Sequence, residues 1–285
     1  CGYRGEALSS IAAISRTTIL SRSPLSETGG KLVVSDGHET LLEYAGPPGT
    51  TVIVENLFFN VPARKKFLKS PASEMRSVRQ IFLATASAWP EISFTLSPDE
   101  GRKIHLPAVE GLLQRLEGVY GGGTMEKMYH EHVKDISAAI EGFLSSPGFM
   151  RANRSMQAVY VNRRPVEYAY LGYLLGRAYQ GIALKGQHPA AFLFITVDPS
   201  LVDVNVHPAK RQIRFFDSRY IDGMILTLAG KALSNTSHRI SETLFTATEF
   251  APRVSIDDAG LPEPSAGQRR DSLPRTTAPD GADPS

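Results

Sequence analysis

The segment Gly46-Pro47-Pro48-Gly49-Thr50-Thr51-Val52-Ile53-Val54 admits two incompatible structures. A phosphate-cradling P-loop needs a lysine directly after its last glycine and a helix after that. Here Thr50 follows Gly49, and the run of β-branched residues behind it predicts a strand. The segment is a turn feeding a strand. Upstream, β-like segments over 17–21, 31–35 and 39–44 are punctuated by Gly29-Gly30 and Asp36-Gly37. With the strand over 51–57 they predict an antiparallel meander. Residues 6–15 suit a short helix, with Leu8, Ile11, Ala12 and Ile14 apolar.

Downstream, Met75, Val78, Ile81, Phe82 and Thr85 lie near one face of a helix over 73–88, which Pro90 ends. A strand over 92–96 follows. A helix over 109–120 is closed by Gly121-Gly122-Gly123, and the domain boundary is placed before it, near Leu106. Strands over 136–144, 157–161 and 191–197 then mix with helices over 168–179 and 219–235. One long crossover joins them, so a second small α/β sandwich is expected. The last 35 residues hold six prolines and no aromatic residue. They cannot bury a core and read as a flexible linker. The expected domains are 1–106 and 107–240, with the linker over 241–285.

A chain of 285 residues allows two such domains. Its 42% hydrophobic and 21% charged residues are those of a soluble globular protein. The net charge of +2 singles out no partner, so a nucleic-acid surface would have to be a local patch. Cys1 is the one cysteine, which excludes an internal disulfide and a cysteine-based metal cluster. No apolar run is long enough to span a bilayer, and a cytoplasmic protein with no membrane partner is expected. The chain begins with Cys1 rather than Met and runs at once into a glycine motif, so an N-terminally incomplete chain is also expected.

Five stretches carry possible chemistry, each with a plainer alternative. Gly2-Tyr3-Arg4-Gly5-Glu6-Ala7-Leu8 sets two glycines before a helix start, where free N–H groups can meet an anion; on spacing alone a plain glycine-rich helix entry is preferred. Arg64, Lys65, Lys66 and Lys69 could contact phosphates, or simply solvate a helix face. His130-Glu131-His132 has a metal-like spacing but no third ligand, so a solvated loop is preferred. Val202, Val204 and Val206 alternate with Asp203, Asn205 and His207 on a strand that Pro208 stops. His207 there suits a structural hydrogen bond. Ile213 and Phe215 resume the alternation, which places Lys210 at a tight connection where its ammonium suits a phosphate, although on pattern alone an ordinary surface lysine is preferred.

These stretches are not independent. Gly2–Ile11, Gly49–Leu68, Val161-Asn162-Arg163-Arg164-Pro165-Val166 and Val202–Lys210 occur in this order. Over roughly residues 1–240 they closely resemble the N-terminal region of the MutL family of mismatch-repair proteins, members of the GHKL ATPase superfamily. The resemblance implies an α+β fold, in which part of a GHKL (Bergerat) ATPase α/β sandwich precedes a ribosomal protein S5 domain 2-like domain and a disordered tail. It implies ATP and Mg²⁺ as cofactors. The implied partners are MutS, double- and single-stranded DNA, and a second copy of the protein.

Carried over by motif, Gly2, Arg4, Gly5, Glu6 and Ala7 lie near the triphosphate, with backbone N–H groups as contacts. Thr50 and Thr51 reach the nucleotide pocket, and Lys210 crosses from the second domain to the γ-phosphate. Arg64, Lys65, Lys66, Arg163, Arg164 and Arg177 are the DNA-contact candidates, with Arg151 and Arg154 as further cations. No metal ligand is assigned.

The departures matter. The family's catalytic Glu, Mg²⁺-binding Asn and adenine-reading Asp have no counterpart motif, so hydrolysis by this chain alone is not expected. Tyr3 stands where the family usually has Phe, and Arg163 where it has a turn glycine. The family's C-terminal dimerisation domain, and the endonuclease motif of some members, also have no counterpart. The alternatives are a non-catalytic DNA-binding module, or another GHKL ATPase such as a topoisomerase subunit.

Overall fold

The computed structural model describes residues 6–203 and 214–249; for Arg214 and 235–249 only the backbone is considered. Residues 1–240 cluster as one unit and 241–285 as another.

The first unit opens with α1 (Ala7–Ala12), then β1 (Arg16–Arg22), β2 (Gly29–Ser35), β3 (His38–Tyr44) and β4 (Gly49–Glu55). These four strands form an antiparallel sheet in the order β3-β2-β1-β4. The Gly46–Val54 segment is therefore a turn and an edge strand, as its residues predict. α2 (Pro62–Lys65) and α3 (Pro71–Ser87) follow. Ser70 caps α3 by accepting a hydrogen bond from the Ser73 amide, and Pro71 occupies the first turn, where its missing N–H costs nothing.

A small hairpin of β5 (Phe94–Leu96) and β6 (Ile104–Leu106) leads on to α4 (Leu112–Tyr120) and α5 (Gly122–Met125). The glycine run therefore does more than end a helix. Gly121, at φ 90°, turns the chain so that a second short helix begins.

The next strands are β7 (Met128–Lys134), β8 (Ala138–Ser145), β9 (Met150–Arg151), β10 (Gln157–Val161) and β11 (Arg164–Val166). Then come α6 (Leu171–Ala178), β12 (His188–Pro189), β13 (Ala191–Val197), a 3₁₀ turn (Pro199–Leu201), β14 (Val202–Asp203), β15 (Arg214–Phe215) and α7 (Ser218–Glu249). Five strands form a sheet ordered β11-β10-β13-β8-β7. Its one parallel pair, β10 with β13, needs the crossover that α6 supplies.

Helices cover both faces. On one face Ile140, Leu144, Val159, Leu193 and Ile195 meet Leu174, Leu175, Ile225 and Leu228 of α6 and α7. On the other, Phe143 and Phe192 meet Leu116 of α4 and Met125 of α5. The sandwich expected after Leu106 is thus a mixed sheet between two helical layers.

Two expectations are corrected. His130-Glu131-His132 is not a solvated loop. It lies in β7, paired along its length with β8, and its alternate residues point to opposite sides. His130 stacks on Phe143 at 4.3 Å and bonds Glu141 at 2.9 Å. The last helix does not stop near residue 235; it continues to Glu249. No helix of the described residues is long and apolar enough to cross a membrane.

Candidate functional site

Two of the sequence motifs meet at α1. The Phe58 amide donates to the Ile14 carbonyl at 2.7 Å, and the Asn60 side-chain amide donates to the Ala13 carbonyl at 2.9 Å. These bonds tie the end of α1 to the loop between β4 and α2. Asn56 and Phe58 both adopt left-handed φ, at 54° and 65°. For a bulky Phe this costs about 1–2 kcal/mol, so the loop is held by its contacts rather than by preference. Ser15 extends the joint: its hydroxyl donates to the Ile11 carbonyl at 2.7 Å and pairs with Thr17 at 2.9 Å. Asn60 and Ser15 were not among the expected site residues; their role depends on contacts 47 and 4 residues away.

Glu6 sits at the start of α1 and Ala7 is its first residue; both are exposed. Gly2, Arg4, Gly5, His207 and Lys210 lie outside the described residues. β14 and β15, which flank the Lys210 segment in sequence, pair antiparallel with Val202 opposite Phe215. Both of those residues belong to the main core. Thr50 and Thr51 lie on the edge strand β4. Successive side chains of a strand point to opposite faces, so only one of the two can face a given pocket. Thr50 shares a 2.9 Å hydrogen bond with Ser21 of β1.

The basic candidates separate into distinct groups. Arg64, Lys65 and Lys66 are exposed on and just after α2, and none forms an ion pair with a described residue. Arg177 is exposed in the last turn of α6, where a cation suits the helix dipole. Arg164 is half-buried at the start of β11. Arg163 is engaged elsewhere: it pairs with Glu91 and lies over the Trp89 ring at 4.9 Å.

Glu91 belongs to a second joint that the sequence did not announce. Arg115 of α4 is almost fully buried, and one guanidinium nitrogen donates to Pro90 O at 2.8 Å and Ile92 O at 2.6 Å. Arg115 and Arg163 therefore grip one four-residue segment, Trp89–Ile92, from two elements. The Glu91 carboxyl is held below its ordinary range by a backbone hydrogen bond and then by Arg163. Nearby, burial pushes the hydroxyls of Tyr120 and Tyr160 up. Among the described residues no group of three His, Cys, Asp or Glu is placed to hold a metal.

This arrangement is that of an α+β protein in which an ATPase-type sandwich sheet precedes an S5-like domain. A solved Aquifex aeolicus MutL ATPase domain complexed with ADP matches it at 26% identity and TM-score 0.59, over 79% of this chain and 77% of that one. The family described as "DNA mismatch repair protein, C-terminal domain" matches residues 116–234. The DNA mismatch repair protein MutL of Coxiella burnetii (strain CbuG_Q212) is 33% identical over 91% of the chain and 47% of its own length. That of Chlorobaculum tepidum is 37% identical over 93% of the chain and 42% of its own length. Over nine tenths of its length the chain is thus similar to MutL proteins of DNA mismatch repair. It spans about half the length of the curated relatives it matches.

Proposed function

We propose that the chain is an ATP- and DNA-binding region of a mismatch-repair protein, coupling mismatch recognition by MutS to later repair steps. The observation that carries this reading is the likeness to a MutL ATPase domain solved with ADP. Under it, ATP with Mg²⁺ is the cofactor. The N–H groups of the turn around Gly2, Arg4, Gly5, Glu6 and Ala7 bind phosphate oxygens, as preorganised dipoles at a helix start can. One of Thr50 and Thr51 faces the nucleotide, and Lys210 neutralises charge on the γ-phosphate. The sequence holds no Glu-x-x-x-Asn motif, so the chain itself binds nucleotide without turning it over. A purified chain that hydrolyses ATP above background, and still does so as Lys210→Ala, refutes this reading.

The DNA part has its own support, the exposed trio Arg64, Lys65 and Lys66 with no acidic partner among the described residues. Phosphate contacts release counterions, so binding falls steeply with salt and shows little base preference. Reversing all three charges should flatten the salt slope by about two to three. Binding that ignores salt excludes it. MutS and a second copy of the protein are the proposed macromolecular partners.

A further inference from the structure

The geometry points to a base-stacking platform on the outer face of α6, with three arginines placed to hold the phosphates of a single nucleic-acid strand. This rests on the DNA-binding reading and goes beyond it, because it assigns base contacts to residues that reading leaves unused.

α6 buries Leu171, Leu174 and Leu175 against the sheet. Its opposite side carries Tyr170 and Tyr173, each 62% exposed. Three residues apart on a helix, they share a face, and Arg177 follows one turn later on that face. Neither ring packs on another aromatic ring of the described residues. Their spacing along the helix axis is about 4.5 Å.

Tyr170 also borders an open cavity of ≈ 840 Å³, lined by Arg154, Tyr168, Arg219 and Asp222 among others. Arg154 reaches it across Gly172: a Cβ added to that glycine would stand 2.6 Å from the Arg154 Nη1. The missing side chain lets the guanidinium lie against the helix backbone, at the cavity that Tyr170 also borders. No hydrogen bond or ion pair joins the Arg154 or Arg219 side chain to any described residue. Two acids, Glu167 and Asp222, share the cavity, and Asp222 already accepts the Tyr168 hydroxyl at 2.6 Å.

Exposed rings flanked by guanidinium groups that pair with no described residue suit a strand whose bases are unstacked and whose phosphates run alongside. A duplex hides its base faces, so this surface distinguishes single from double strands.

The test measures anisotropy of the 285-residue chain with three labelled probes: oligothymidine, an abasic strand of equal length, and a duplex. Tyr170→Ala/Tyr173→Ala should weaken oligothymidine binding by about fivefold or more per tyrosine. Abasic and duplex binding should stay unchanged, and Tyr170→Phe/Tyr173→Phe should restore oligothymidine binding. Equal oligothymidine affinity in the alanine variant overturns the platform while leaving DNA binding intact. Equal losses on all three probes overturn it too, since the rings then act on folding and not on bases. If the unsubstituted chain binds none of the probes, the DNA-binding reading falls and the platform with it.

Discussion

Arg115 is the residue on which the most depends. Its guanidinium lies in the interior and holds backbone carbonyls at both ends of the 90–92 turn. Arg115→Leu keeps the bulk but strands those acceptors, and should cost about 2–4 kcal/mol, read as a lower urea midpoint. Arg163 tests opposed effects. With Asn162 it forms a two-residue hairpin loop between β10 and β11, both at positive φ, the geometry of a type I′ turn. Glycine at 163 would relieve about 1 kcal/mol of backbone strain. It would also lose an exposed ion pair and a cation–π contact, small terms that oppose that relief. Arg163→Gly should therefore leave the melting temperature nearly unchanged, while Arg163→Ala, which loses the contacts without the relief, should lower it. If Ala is the more stable variant, the strain argument fails. The depressed Glu91 carboxyl gives the joint a pH dependence. A group whose folded pKa is lowered stabilises above its unfolded value and loses that contribution as pH falls through the folded one. The joint should loosen as pH drops below about 4, and Glu91→Gln should abolish that acid component of a stability titration.

At the scale of elements, helix α7 lies so close to β8 that Gly142 is required there. A Cβ at that position would stand 2.5 Å from Leu228 Cδ2 and 2.9 Å from Leu193 Cδ2. Both leucines are fully buried, so neither can swing into solvent. Gly142→Ala should cost about 1–3 kcal/mol through overpacking, measured by thermal melting. The sequence disclosed this layer well. Ala191–Val197 and Gln157–Val161 are near-continuous apolar runs, and α6 carries leucines on one side only. β7 was hidden because His130, Glu131 and His132 are polar on both sides of an edge strand, which gives alternation nothing to detect. β6 was missed for a related reason: three residues are too few to show a period. The end of α7 was misplaced because polar Ser234-Asn235-Thr236-Ser237 reads as a stop, although backbone hydrogen bonding continues through it. In the candidate site, local motifs were legible. Asn60 with Ala13 and Arg115 with Pro90 were not, since no spacing rule links residues so far apart in the chain.

For the molecule as a whole, tyrosines set an alkaline limit. Burial raises the Tyr160, Tyr168 and Tyr179 hydroxyls, with Asp222 reinforcing Tyr168. Tyr179 donates to the Ser145 carbonyl at 2.7 Å in the core. A raised folded pKa means that the contribution is complete below the unfolded value, near 10, and is lost as pH climbs from there toward the folded one. Unfolding should set in above about pH 10, and Tyr179→Phe should shift that onset upward while costing about 1 kcal/mol near neutrality. An onset that ignores the substitution would place the cause elsewhere. Trp89, the one tryptophan in the chain, sits under Arg163 and beside Arg115's acceptors. Its emission is therefore a native optical reporter of that joint. Colour shift or quenching in ordinary fluorescence can follow the joint opening in real time, with no dye attached and no second tryptophan to unmix.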